Sequence, residues 1–146
     1  MKVERRLPAH SLDAEEALLG SVLIAPDIAP AIVDWLPAEV FYRDRNRLIY
    51  QAIQRLVKAG RPPNQIVLSY ELKYGEHARE GRLLEACGGL SYLSLLVANC
   101  PTSAYADSYA EILFEAHQER LRLEGVLTKP PSVATPKSKK SNLPPL

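Results

Sequence analysis

Apolar residues recur in pairs at the helical period between Asp44 and Gly60, and nowhere does the chain sustain the alternation that a half-buried strand requires. Leu48-Ile49, Ala52-Ile53 and Leu56-Val57 fall on one face of a helix that starts near Asp44 and is stopped by Gly60 and Pro62-Pro63. The same period predicts helices elsewhere. Ser11 is placed to cap a first helix, with Asp13, Glu15 and Glu16 favourable to its dipole and Leu12, Leu19, Val22 and Leu23 as its buried stripe. Asp27 is placed to cap a second, in which Ile28, Ile32 and Leu36 repeat and Pro30 falls in the tolerated first turn. A fourth spans about Gln65 to Tyr74 and ends at Gly75, with Glu76 to Gly81 as a polar loop.

Beyond Gly88-Gly89 the pattern changes. Leu90, Tyr92, Leu93, Leu95, Leu96 and Val97 are apolar nearly all round a short helix, which must be covered on several sides. After the break at Asn99 to Ser103, a long helix from about Ala104 to Glu124 carries two apolar stripes. One holds Tyr105, Tyr109, Ile112, Leu113 and Ala116; the other holds Ala106, Ala110, Phe114 and Leu121. Two helices joined this closely predict an antiparallel hairpin. Its short partner covers one stripe, leaving Tyr105, Tyr109, Ile112, Leu113, Phe114 and Leu121 as the candidate self-association face unless the head folds back over it. The expected fold is therefore all-α: a compact head over about residues 11–75, a hairpin over about 89–124, and a disordered tail over 126–146.

That tail holds five of the chain's 12 prolines with Ser, Thr and Lys, too little apolar surface to offset the entropy of ordering. It also separates the charge. Four of the 18 basic side chains, Lys129, Lys137, Lys139 and Lys140, lie there without an acid, so residues 1–125 carry 14 against all 17 acidic ones, a net of −3. A mildly acidic body lacks the basic stripe that phosphate backbones select, which argues against nucleic-acid binding by the folded part.

Other functional classes find little support. The 17 residues from Leu90 to Ala106 are uncharged but include Ser94, Asn99, Pro101 and Thr102, short of the roughly 20 apolar residues a membrane span needs. The start, with Glu4, Pro8 and His10, has no apolar signal core, so a cytoplasmic location is expected. Cys87 and Cys100 form no CxxC and fit free structural thiols rather than a zinc site. His10, His77 and His117 are scattered, and no metal or cofactor is expected. Ser11 reads as a cap and not a nucleophile. Tyr42, Tyr50, Tyr92, Tyr105 and Tyr109 fall on apolar helical faces and are expected to pack rather than to stack on bases.

Four short motifs, in order, carry a resemblance. Leu7-Pro8-Ala9-His10-Ser11-Leu12-Asp13-Ala14-Glu15 leading to Leu19-Gly20-Ser21 resembles the opening of DnaB-type replicative DNA helicases. Phe41-Tyr42-Arg43 followed by Arg47-Leu48-Ile49-Tyr50 is similar to that family's Phe-Tyr helix entry. Gly88-Gly89-Leu90-Ser91-Tyr92-Leu93 is similar to its Gly-Gly-x-x-Tyr-Leu signature, and Ala104 to Ile112 to its Asn-x-x-x-Tyr-Ala-x-x-Ile helix. The family has Asp and Thr ahead of the fourth helix, where this chain has Asn64 and Val67.

The resemblance covers the family's N-terminal domain only. No GxxxxGK[ST] loop is present to cradle phosphates, as an ATP-driven motor needs, so no enzymatic activity is expected. A truncated or frameshifted helicase, or a stand-alone copy, would have this form. The implied role is scaffolding in DNA replication. In the family, paired hairpins build the amino-terminal collar of a hexameric helicase, which receives primase and loading partners in the primosome. The expected partners are a second copy of the chain, primase, a helicase loader or a full-length helicase. Two other readings stay open: a regulator or decoy that joins a helicase ring, and a small basic-tailed nucleic-acid binder.

Overall fold

The computed structural model describes residues 7–125; the predicted disordered tail lies outside them. The described residues are helical with no strand, as the all-α reading expects. The elements are α1 (Leu7–Ile24), a 3-10 turn (Pro26–Ile28), α2 (Ala29–Val33), a second 3-10 turn (Ala38–Val40), α3 (Asp44–Lys58), α4 (Gln65–Tyr74), α5 (Arg82–Ala86), α6 (Gly89–Ala98) and α7 (Ala106–Leu123).

α1 lies at the centre of the fold. It begins at Leu7, ahead of the expected start at Ser11, so Asp13, Glu15 and Glu16 lie beyond its first turn and the dipole role assigned to them does not hold. Leu18, Leu19, Val22 and Leu23 are buried on it, and its neighbours are α3, α6 and α7. α3 follows the predicted pattern closely, with Ile49, Ala52, Ile53 and Leu56 in the core. Phe41 packs on Tyr50 with ring centroids 4.7 Å apart, and the buried Tyr50 hydroxyl donates to the Leu36 carbonyl at 2.8 Å.

Two caps differ from expectation in opposite ways. Asp27 caps nothing: it sits inside the 3-10 turn, and no side chain caps α2, whose first turn does hold Pro30. Asn64 does cap α4, its Oδ1 accepting from the Val67 amide at 2.8 Å, so the exchange of the family's Asp-Thr pair for Asn64 and Val67 keeps the cap through the backbone.

The long helix α7 takes its main partner from α1 rather than from α6. The chain reverses after α6 through residues 99–105 and runs antiparallel to α1. Cys100, just before α7, sits against Ala17 and Ser21 late in α1, whereas Arg120 near the far end of α7 lies in the field of Glu15. The row facing inward is Ala106, Ala110, Leu113 and Ala116, a mixture of both predicted stripes. Small side chains there let the helix axes approach, and the head thus folds back over the long helix.

Candidate interaction surface

The packing of α7 on α1 decides which of the predicted face residues remain available. Leu113 is fully buried at 0% exposure and belongs to the core. Phe114 is half-buried and meets Trp35 edge-on at 5.9 Å, and Leu121 is half-buried. What stays open is a narrower row: Tyr105 at 59% exposure, half-buried Tyr109, and Ile112 at 43%. These three follow one another at helical spacing and form one continuous stripe. Two of the tyrosines predicted to pack inside therefore do not, since Tyr42 is also exposed.

A second open stripe went unrecognised in the sequence. On α4, Ile66, Tyr70 and Tyr74 are among the most exposed large apolar side chains of the described residues, at 71%, 60% and 66%. They recur every four residues, the two tyrosine rings lie 5.4 Å apart, and the Lys73 ammonium stands 5.3 Å from the Tyr74 ring. The signal was present as a four-residue repeat, but the buried Leu68 and Leu72 beside it make the helix apolar on more than one side.

A buried polar knot ties the α7 helix to the head. Glu15 is fully buried; its Oε2 accepts from the Tyr42 amide at 2.5 Å, and its Oε1 from the Arg43 amide at 3.3 Å and from Asn46 Nδ2 at 2.8 Å. Asn46 Oδ1 in turn accepts from the Tyr92 hydroxyl at 2.6 Å, and the Arg45 guanidinium covers the Tyr92 ring at 4.5 Å. Arg120 of α7 donates to the Val40 carbonyl at 3.0 Å and lies over the Tyr42 ring. Burial pushes the Glu15 carboxyl up from its ordinary value, outweighing these donors and the Arg120 charge, which favour the ionised form. The knot links α1, the Phe41 turn, α3, α6 and α7. Its sequence signal was a charged residue inside an apolar stripe: position 15 falls in register with Leu12, Leu19 and Val22.

The glycines serve close approach. A Cβ on Gly20 would lie 2.5 Å from the Leu96 carbonyl oxygen and 2.7 Å from Cys100 Cβ, so α1 and the end of α6 meet only through glycine. Gly88 holds φ at +94°, and a Cβ there would strike Tyr92 at 2.7 Å. Both cysteines are free and buried, as expected of structural thiols, and burial pushes the Cys87 thiol up to about 11. Of the motifs that suggested a family, Ala-Glu, Phe-Tyr-Arg and Gly-Gly-x-x-Tyr all supply parts of the one knot.

A family model for the DnaB-like helicase N-terminal domain matches residues 7–115. The chain belongs to that family. The DnaB replicative DNA helicase of Pasteurella multocida is 38% identical over 107 residues, which are 73% of this chain and 22% of the helicase. That of Geobacillus stearothermophilus is 36% identical over 110 residues, 75% of this chain and 23% of the helicase. The crystal structure of the N-terminal domain of DnaB helicase from Mycobacterium tuberculosis superposes with a TM-score of 0.69 at 34% identity, covering 77% of this chain and 74% of that one. The chain thus spans under a quarter of the length of these two helicases, and the shared part is the N-terminal domain of a DNA-replication protein. Among the described residues no single helix is long and apolar enough to cross a membrane.

Proposed function

We propose that this DnaB-type domain works as an assembly and docking module of the replication machinery, with no chemistry of its own. The observation that carries the reading is a closed core that leaves two separate apolar stripes uncovered, one on α7 and one on α4. A module that joins copies of itself and also receives a partner needs two such surfaces. The α7 stripe of Tyr105, Tyr109 and Ile112 is assigned to self-association. The α4 stripe, on the head, is assigned to a protein partner such as primase or a helicase loader.

Calorimetric titration with the carboxy-terminal domain of the cognate primase tests the docking half. Binding tighter than roughly 10 μM, lost in an Ile66→Asp, Tyr70→Asp double variant, is the expected result. A flat titration at tens of micromolar, about 6 kcal/mol of binding or less, counts against that role.

A further inference from the structure

α4 turns opposite sides to the core and to solvent. At about 100° per residue, Leu68 and Leu72 fall on one side and are fully buried, whereas Ile66, Tyr70, Lys73 and Tyr74 fall within about 100° of arc on the other and are exposed. From Ile66 to Tyr74 the row runs about 12 Å, a little over two turns, the length that an amphipathic helix meets with apolar residues at i, i+4 and i+7.

The charge around this row has one sign. Lys73 stands within it, its ammonium 5.3 Å from the Tyr74 ring. Glu71, the one carboxylate of α4, points away from the row and is tied to Arg55 at 3.0 Å, with 13% of its side chain exposed. Lys58 and Arg61, on the turn leading into α4, are exposed, and among the described residues neither they nor Lys73 pairs with a carboxylate. Residues 54–82 hold six basic and three acidic side chains, a net of +3; residues 1–125 together carry −3, which leaves −6 for the rest of the body. α3 and α5 both pack on α4, so the basic excess flanks the row.

A helix with acidic residues beside its apolar row meets both features, and a basic one would meet like charge. Single-stranded nucleic acid fits less well. The Tyr70 and Tyr74 rings lean on each other, centroids 5.4 Å apart, rather than standing apart as stacking platforms, and Lys73 is the one cation within the row. A second copy would bring its acidic α7, but the open stripe of that helix is assigned above to self-association.

We propose that the row of Ile66, Tyr70 and Tyr74, with Lys58, Arg61 and Lys73 beside it, receives an acidic amphipathic helix of a partner protein. The proposal rests on the docking role given above to this stripe and adds the chemistry of what docks.

Two synthetic helical peptides, titrated against the full chain, test it. Both carry leucine at i, i+4, i+7 and i+11; one has glutamate and the other lysine at the flanking positions. Fluorescence anisotropy of the labelled acidic peptide should give a Kd of roughly 10–100 μM, at least about tenfold tighter than the basic peptide. Near 1 M salt, where the screening length is about 3 Å, that preference should largely vanish. Arg61→Glu with Lys73→Glu, both exposed positions, should reverse the preference, and Tyr70→Ser with Tyr74→Ser should abolish the acidic complex. Equal binding of the two peptides, or a preference that survives the charge reversal, would overturn the proposal. Oligothymidylate binding that is lost in the tyrosine variant would overturn it in favour of nucleic acid, and a shift of the chain toward monomer in Lys73→Glu in favour of a second copy. Failure here is distinct from failure of the docking role. Primase binding lost in the Ile66→Asp, Tyr70→Asp variant, with no preference between the peptides, keeps that role and overturns the acidic helix. Acidic-peptide binding beside a flat primase titration supports the proposal and removes primase as the partner.

Discussion

Glu15 shows how one residue can organise a fold while costing it charge burial. Its carboxylate accepts from two backbone amides and from the buried Asn46 side chain. Glu15→Ala should therefore lower unfolding free energy by about 1–3 kcal/mol at neutral pH, since buried donors lose their acceptor. Denaturant melts of both proteins measure this, and a difference under about 0.5 kcal/mol would show that the knot is dispensable. The pH dependence has a definite sign. With the folded carboxyl raised above its ordinary 4.5, the folded state holds this proton more tightly than the unfolded chain. The stability from this group is then complete below that value and is lost as pH rises through the folded one. The gap between wild type and Glu15→Ala should shrink as pH is raised from about 4 to about 8, the reverse of a salt-bridged carboxylate. Sequence reading placed Glu15 on a helix dipole because the start of α1 was set too late. The charge interrupting the stripe of Leu12, Leu19 and Val22 was visible, but its donors come from Tyr42, Arg43 and Asn46, and no local pattern brings those together.

Among the helices, legibility followed locality. α3 and α4 were readable because their stop signals, Gly60-Arg61-Pro62-Pro63 and Gly75, adjoin their own periodic faces. The short α5 was missed, as five residues hold too few turns to show a period. The inward row of α7 was mis-sorted because alanine reads as neutral in a stripe, although Ala106, Ala110 and Ala116 are what admit α1. A small residue of α1, Gly20, likewise admits the end of α6, and it makes that helix contact testable. Gly20→Ala gains helix propensity in isolation, yet its methyl would collide with the Leu96 carbonyl, which is backbone and cannot swing aside. Overpacking of this kind costs about 1–3 kcal/mol, so thermal unfolding should move down by several degrees, about 4–8 °C per kcal/mol for a domain of up to about 100 residues. An unchanged or higher midpoint would mean that α1 and α6 are not in the close contact described.

At the scale of the molecule, the chain is a DnaB-type N-terminal domain whose core closes on itself and whose exposed apolar side chains include two helical stripes. The all-α class and the family were legible from helical period and motif order. Which stripe stays open was not, because it depends on α1, about a hundred positions away, packing on α7, whereas the sequence left open whether the head or α6 alone covers that helix. The proposed assembly rests on the surviving row of Tyr105, Tyr109 and Ile112. Full burial of a side chain of this size contributes about 1.5–3 kcal/mol, and a two-fold axis repeats each contact, so a micromolar dimer is in reach after association costs. Sedimentation velocity of the intact chain, beside an Ile112→Asp variant with its helical circular dichroism retained, tests this most directly. A dimer or larger assembly is expected for the unaltered chain at about 100 μM, shifted toward monomer in the variant. A monomer for the unaltered chain at that concentration would contradict it.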